Sequence, residues 1–283
     1  MSHLTENEIK QAKKLVSMSK MSQILENIRA VIAKDRMQKQ PLILRIDEGF
    51  IFNIARKAIE EKNSTFIMSI AGESASGKTT LVKNAAKACV KTDTNNVYTV
   101  VCCDDYYKDA SKELTEAGSY EKLFESGFSF DTPDAIDLDL MREHLIKLKN
   151  GEEIYSPAYN FVTCESKKDV VLKTPAKLIL NEGLYVLNEK LKDITDVKIY
   201  VYTPFEVIKD RWFARATSRG KTGLAAQMQF HDVNQTAFRH IRPSMDIADV
   251  VINGMTTQAY IENIVQEFID AIVSVIKDKS CSL

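Results

Sequence analysis

The chain has 283 residues, 45% of them hydrophobic, and its 38 basic and 39 acidic side chains nearly cancel. That length suits one large α/β domain with an appendage or two small domains, and the apolar content is enough for a sizeable core. No basic block marks a nucleic-acid surface and no apolar run approaches the ~20 residues that cross a bilayer, so neither nucleic acid nor membrane is an expected partner.

Met1 to Glu6 starts no apolar signal sequence. The five cysteines, Cys89, Cys102, Cys103, Cys164 and Cys281, are odd in number and have no C-x-x-C spacing. They read as reduced thiols, and cytoplasm is the expected location. In the first 63 residues, Ile9, Leu15 and Val16, then Ile24, Leu25, Ile28, Val31 and Ile32, recur at roughly helical spacing. Pro41 interrupts, and Asp47–Glu61 reads as a further helix. No catalytic pattern occurs here. The expectation is an N-terminal helical extension over residues 1–63 that covers one edge of the core or joins copies into a homo-oligomer.

From Phe66 the character changes. Short apolar runs, Phe66–Ala71, Val97–Cys102, Leu178–Leu180, Val197–Val201 and Val250–Ile252, alternate with helical patterns. Each is short enough for a buried parallel strand, and the alternation implies a doubly wound, mainly parallel α/β sheet with helices on both faces.

The first run leads into Gly72-Glu73-Ser74-Ala75-Ser76-Gly77-Lys78-Thr79, which fits G-x-x-x-x-G-K-[ST], and a helix-compatible stretch from Thr80 to Val90 follows. Strand, glycine loop and helix together form a phosphate cradle. Glycines let the backbone wrap phosphate oxygens, successive N–H groups form an anion nest, and the helix N-terminus adds a favourable dipole. Lys78 is placed for the β- and γ-phosphates and Thr79 for magnesium. The pattern establishes a nucleoside triphosphate site but does not separate a kinase from a switch or motor.

The second run ends in Asp104 and Asp105, where a carboxylate faces the ligand crevice of an open parallel sheet. Asp104 there suits a catalytic base or a magnesium contact; a solvated turn is the structural alternative. In Phe130-Asp131-Thr132-Pro133-Asp134-Ala135-Ile136-Asp137, Asp131 suits vicinal hydroxyls and Asp137 a helix N-cap. Glu182 ends a further strand and suits magnesium, with an exposed turn as alternative. Arg211, Arg215 and Arg219 are spaced i, i+4, i+8 on one helical face, which is either a basic stripe closing over the phosphates or an ordinary solvated face.

Together these motifs resemble the uridine kinase family, within the uridine kinase–phosphoribulokinase group of P-loop kinases, from about Phe66 to about Gly254. Asp104-Asp105-Tyr106-Tyr107, Pro157-x-Tyr159-x-Phe161, Glu182-Gly183, Arg219-Gly220 and Ala248-Asp249-Val250-Val251-Ile252 carry the resemblance beside the glycine loop. It implies a P-loop kinase domain over residues 64–283 with a small inserted β element near Glu153–Lys173 that binds substrate. It implies ATP or GTP with Mg2+ as cofactors and a small-molecule acceptor, uridine or cytidine first. Position by position, Asp104 matches the catalytic base, Asp131 the ribose carboxylate and Tyr159 a nucleobase aromatic. Tyr107 matches the tyrosine of the Asp104 motif, Arg211 and Arg219 match lid arginines, Gln229 a substrate-side glutamine and Glu182 the acid near magnesium. Arg215 is expected on the triphosphate. Four departures concern the acceptor and the lid: Cys164 stands where the family has a base-contacting histidine, Asn160 where it has an aspartate, Ala214 where it has an arginine, and Lys221 where it has Arg. A kinase of the same group with another small alcohol as acceptor, or a non-catalytic nucleotide-binding regulator, are the alternatives.

Overall fold

In a computed structural model of the chain, residues 6–60, 65–92 and 98–277 are described. Val97, Glu61 and Cys281 from the sequence expectations lie outside them. Six strands form the main sheet: β1 (Ile43–Ile46), β2 (Phe66–Ala71), β3 (Tyr98–Cys102), β6 (Leu178–Glu182), β7 (Val197–Tyr202) and β8 (Val250–Asn253). Their order is β1-β8-β7-β2-β6-β3, and every pairing is parallel except β1 with β8. The glycine loop thus leaves the sheet from a central strand, with β6 and β7 on either side.

Side-chain alternation decides which face each residue serves. Ile67, Val101, Ile179, Tyr200 and Val251 point into one core, with Met141, Leu145 and Leu148 of α6 (Leu138–Lys149). Ile70, Leu180, Ile199, Val201 and Ile252 point into the other. That second face is covered by α1 (Glu6–Arg36), α2 (Glu48–Glu60), α3 (Lys78–Thr92) and α9 (Gln258–Lys277). The fold is α/β, with helices on both faces of a mostly parallel sheet.

Local chemistry sets several boundaries. Asp137 Oδ1 accepts the Leu140 N–H at 3.0 Å and caps α6. Short helices α4 (Ser111–Ala117) and α5 (Tyr120–Glu125) precede it, α4 closing on Gly118 at φ 79°. The inserted element is an antiparallel pair, β4 (Ile154–Asn160) with β5 (Glu165–Lys173). Helices α7 (Phe205–Ser218) and α8 (Gly223–Thr236) form a hairpin beside the glycine loop.

The N-terminal segment holds more than the helices expected of it. After Pro41 the chain forms β1, which extends the sheet at β8. Asp35, fully buried, organises this turn: its carboxylate accepts the N–H groups of Leu42 at 2.9 Å and Ile43 at 2.8 Å and the Tyr260 hydroxyl at 2.9 Å. Among the described residues no helix is long and apolar enough to cross a membrane.

Candidate functional site

The glycine loop lies between two cavities. Its geometry comes first from Gly72, whose φ of 151° and close approach to Val201 leave no room for a Cβ, which would sit 2.7 Å from the Val201 carbonyl oxygen. Ala75 adopts a left-handed φ of 66°, a turn that re-aims successive N–H groups. Thr203 Oγ1 donates to the Ser76 carbonyl at 2.8 Å from the end of β7. Gly254 packs so closely that a Cβ would lie 2.3 Å from that same carbonyl oxygen. The sequence reading did not single out Gly254; its signal was a glycine directly after the last strand.

One cavity, about 440 Å³, lies on the outer side of the loop and is lined by Ala75, Gly77, Lys78, Thr79, Thr80 and Leu81 with Arg211 and Asn253. The other, about 80 Å³, lies on the inner side. Lys78, Thr79 and Ser74 meet Asp104, Glu182, Asp131, Tyr107, Tyr159, Cys164 and Gln229 there, roofed by Arg215, Arg219 and Lys221. Lys78, Thr79 and Arg215 border both, so the loop's lysine stands where the two spaces join.

At that junction charge is dense and solvent is scarce. Lys78 is 8% exposed and donates to the Glu73 carbonyl at 2.8 Å. Burial lowers its pKa, opposed by Glu182 and Asp104. Thr79 Oγ1 donates to Glu182 Oε1 at 2.9 Å. Burial raises the Glu182 pKa, with Lys78 pulling the other way. Asp104, at the end of β3, lines the inner cavity and acts on Lys78, Glu182 and Asp131 at once. Its neighbour Asp105 does not line it; burial pushes that carboxyl to about 6.

The far end of the inner cavity is aromatic and cationic. Tyr107 packs on Tyr159 at 5.0 Å between ring centres, and Tyr159 on Phe161 at 5.1 Å. The Arg219 guanidinium lies 4.0 Å over Phe161, and the Lys221 ammonium 4.2 Å over Tyr120 and 5.2 Å over Phe130. Asp131 is 7% exposed; its N–H donates to Ser129 Oγ at 3.2 Å and its carbonyl accepts from the Tyr185 hydroxyl, which leaves the carboxylate to the cavity. Burial, then the charges of Asp232 and Asp104, push its pKa to about 7, against Lys221 and Arg215. Cys164 sits in a left-handed φ of 57° at the β4–β5 turn, with its thiol 3.3 Å from the Tyr120 hydroxyl. The Tyr159 hydroxyl is buried against the Cys164 thiol.

The structure separates some residues that the sequence grouped. Arg211 and Arg215 of α7, and Arg219 that caps its C-terminus, do not share a destination. Arg211, expected as a lid arginine, donates to the Gly254 carbonyl at 3.1 Å in the outer cavity. Arg215 donates to Ser74 Oγ at the junction, and Arg219 reaches the aromatic end. An 8-residue span of helix is about 12 Å long, enough to cross the whole loop. Glu73, expected on the nucleotide, turns its side chain outward into a paired contact with Arg242, Nε and one terminal nitrogen each at 3.0 Å; Arg242 also donates to Asn234 of α8 at 2.7 Å. Only the Glu73 backbone serves the cradle. Phe130, Trp212 and Arg242 were not among the expected site residues, because ring stacking and a pair 169 positions apart leave no local spacing to read; Lys221 was read only as a lid position where the family has Arg.

A magnesium ion fits this donor set. Among the described residues no cluster of three or more His, Cys, Asp or Glu side chains converges. Magnesium needs only one or two protein oxygens beside water and phosphate, which Thr79 at the cavity surface and the buried Glu182 supply.

Known proteins resemble this chain in sequence. The model of the phosphoribulokinase/uridine kinase family matches residues 67–260. A uridine kinase of Borrelia turicatae is 31% identical over 189 residues, covering 66% of this chain and 85% of that protein. A uridine-cytidine kinase-like 1 protein of Mus musculus is 31% identical over 238 residues, covering 81% of this chain and 42% of that protein. Among solved structures, phosphoribulokinase from Rhodobacter spheroides superposes with a TM-score of 0.48 at 16% identity, covering 68% of this chain and 70% of that one.

Proposed function

The chain belongs to the phosphoribulokinase/uridine kinase family, and from that premise we propose that it transfers the γ-phosphate of ATP to the 5′-hydroxyl of uridine or cytidine. As a member it is a phosphotransferase acting on a hydroxyl group of a small molecule; the acceptor and the residue roles are our reading. The observation that supports it is a single cavity in which Asp104 stands across from Lys78 at one end, while Asp131 and Tyr159 wait at the other.

The triphosphate enters from the outer cavity, its γ-phosphate beside Lys78. The acceptor lies along the inner cavity with vicinal hydroxyls on Asp131, which has spare acceptor capacity, and its ring between Tyr159 and the cationic roof. The Tyr159 hydroxyl, beside the Cys164 thiol, turns to donate to it. As the acceptor oxygen bonds to phosphorus, its proton passes to Asp104 and the bond to the ADP bridging oxygen breaks. Proton transfer comes late, because a carboxylate is a weak base towards an alcohol. Lys78 and Arg215 hold the equatorial oxygens, where preorganised charge counts most. Thr79 and Glu182 would hold magnesium, which when bound neutralises charge on the β- and γ-oxygens.

Cys164 and Lys221 favour a second reading at the base end, a kinase of the same group with another small alcohol. A thiol already within reach of Tyr120 offers little to a pyrimidine edge, and Lys cannot make the paired donation of Arg. The test is turnover of labelled ATP against uridine, cytidine and a panel of other alcohols, with Asp104→Asn and Asp105→Asn beside the wild type. We expect pyrimidine nucleoside 5′-monophosphate as product, a 10²–10⁴-fold loss in Asp104→Asn, and little loss in Asp105→Asn. Turnover with only a non-nucleoside would establish the second reading. ATP binding without turnover of any acceptor would reject both.

A further inference from the structure

A third cavity, about 220 Å³, lies on the opposite face of the sheet from the acceptor site, and every residue around it is apolar. Its floor is the sheet: Met68 and Ile70 of β2, Val197 and Ile199 of β7. Its roof is α2 with Phe50 and Ile54, and α9 with Ile264 and Phe268. Ile28, Leu42 and Ile43 of the N-terminal segment close one end. The cavity is therefore built where the family core, residues 67–260, meets α1, β1 and α2 on one side and most of α9 on the other.

Close-packed interiors leave few voids larger than a water molecule. This one is held open by polar ties that fix its roof. Lys57 of α2 pairs with Asp196 at 2.5 Å. Tyr260 at the start of α9 donates to Asp35, and Asn27 donates to the Ala271 carbonyl at 3.3 Å further along that helix. Both helices also pack on α1, whose Ile28 reaches the cavity. Water gains nothing in a space without polar partners, and apolar cavities of this size stay dry yet accept hydrocarbon guests. A charged or strongly polar group would be buried there without a partner at prohibitive cost. The volume is about seven times the ~30 Å³ share of one liquid water, room for roughly seven to ten non-hydrogen atoms.

The cavity also touches the nucleotide site. Leu81 and Ile252 line both it and the outer cavity beside the glycine loop, so two side chains are the wall between them. Leu81 is one turn into α3, the helix whose first residue is Lys78, and β2 runs from the cavity floor directly into Gly72.

We propose that this cavity is a binding site for a small, uncharged, apolar molecule, and that its occupancy adjusts nucleotide affinity through the shared wall of Leu81 and Ile252. A guest fills space behind both side chains and limits their retreat from the nucleotide. The site does not depend on which alcohol is phosphorylated.

Toluene is a suitable probe for the full chain. Its binding should raise the melting temperature by about 3 °C at ten times its dissociation constant, by mass action on the folded state. Two filling variants enter from opposite walls, Ala85→Leu from α3 and Val265→Phe from α9. Each should melt at or above the wild type and lose the toluene shift; if one fails to fold, the other carries the comparison. Toluene should also change the dissociation constant of a non-hydrolysable ATP analogue at least twofold in the wild type and leave the filled variants unmoved. A wild type without a melting shift, a shift retained by a filled variant, or both variants melting lower would overturn the site. An unchanged analogue affinity in the wild type would overturn the coupling.

Discussion

At the residue scale the most informative side chain is Asp131, because its environment makes a pH-dependent claim. Burial lifts its pKa from 3.8 to about 7, so between those values the folded chain holds a proton that the unfolded chain has released. The native state binds more protons in that window, so its contribution to stability is full below about pH 4 and is lost as pH rises through about 7. The loss is on the order of 4 kcal/mol at most. Asp131→Asn should flatten that slope and make the ligand-free protein more stable at pH 8, read from urea midpoints at several pH values. Catalysis should run the other way. An acceptor whose hydroxyls donate to the carboxylate binds the ionised form, so its KM should climb, by up to about tenfold per unit, as pH falls below 7. Equal KM at pH 6 and pH 8 would remove Asp131 from the acceptor site. Cys164→His, if the base end is nucleoside-shaped, should raise kcat/KM for uridine. Asp131, Asp104 and Cys164 were legible in the sequence because they stand in motifs of fixed spacing. Arg242 was not, since nothing near it in the chain announces a partner on the glycine loop.

Among elements, the α7–α8 hairpin carries the next expectations. The inner cavity of about 80 Å³ holds roughly two or three waters, far less than a nucleoside, so the hairpin that roofs it must move to admit an acceptor. Gly220, at φ 77° between the two helices, is the position where a side chain would be strained. Gly220→Ala should cost about 1 kcal/mol of stability, seen by urea denaturation. Amides of α7 and α8 should exchange faster than those of β2 and β6 in the free protein, and slow when ATP analogue and acceptor are both present. Arg242 ties the loop to this hairpin through Glu73 and Asn234. Arg242→Ala and Glu73→Gln should each lower kcat several-fold. The double variant should be little worse than either, with a coupling of about 0.5–3 kcal/mol in the cycle. Additive losses would mean the pair acts as two separate surface charges. Strands β2, β3, β6, β7 and β8 were readable as apolar runs, and the β4–β5 pair through the family resemblance. The divergence of Arg211 and Arg219 was not, because helical periodicity reports a shared face and says nothing about what passes beneath it.

For the whole molecule, the question is whether the first 60 residues are an ornament on the kinase or part of its fold. Apolar periodicity pointed to helices, and α1 and α2 are there. The strand β1 was hidden, since Ile43-Leu44-Arg45-Ile46 is too short and too mixed to read as an edge strand. Its pairing with β8 and the burial of Ile24, Ile28, Ile51 and Ala55 against α3 and α9 make one core of both segments. Asp35 is the point at which that union can be tested with a single atom group. Its carboxylate satisfies two backbone N–H groups and the Tyr260 hydroxyl in a place with no water access, so Asp35→Ala leaves those donors unpaired. Unsatisfied buried groups cost about 1–3 kcal/mol each, less what local relaxation recovers. The variant should lose about 2–4 kcal/mol in one cooperative urea transition, followed at once by circular dichroism and by tryptophan fluorescence. Trp212, the one tryptophan, lies on α7 at the far site, so it reports whether the catalytic half unfolds with the N-terminal half. If the segment is integral, the two signals shift together. If circular dichroism shows an early loss while Trp212 keeps its wild-type midpoint, α1 and β1 come away alone and the kinase core stands without them.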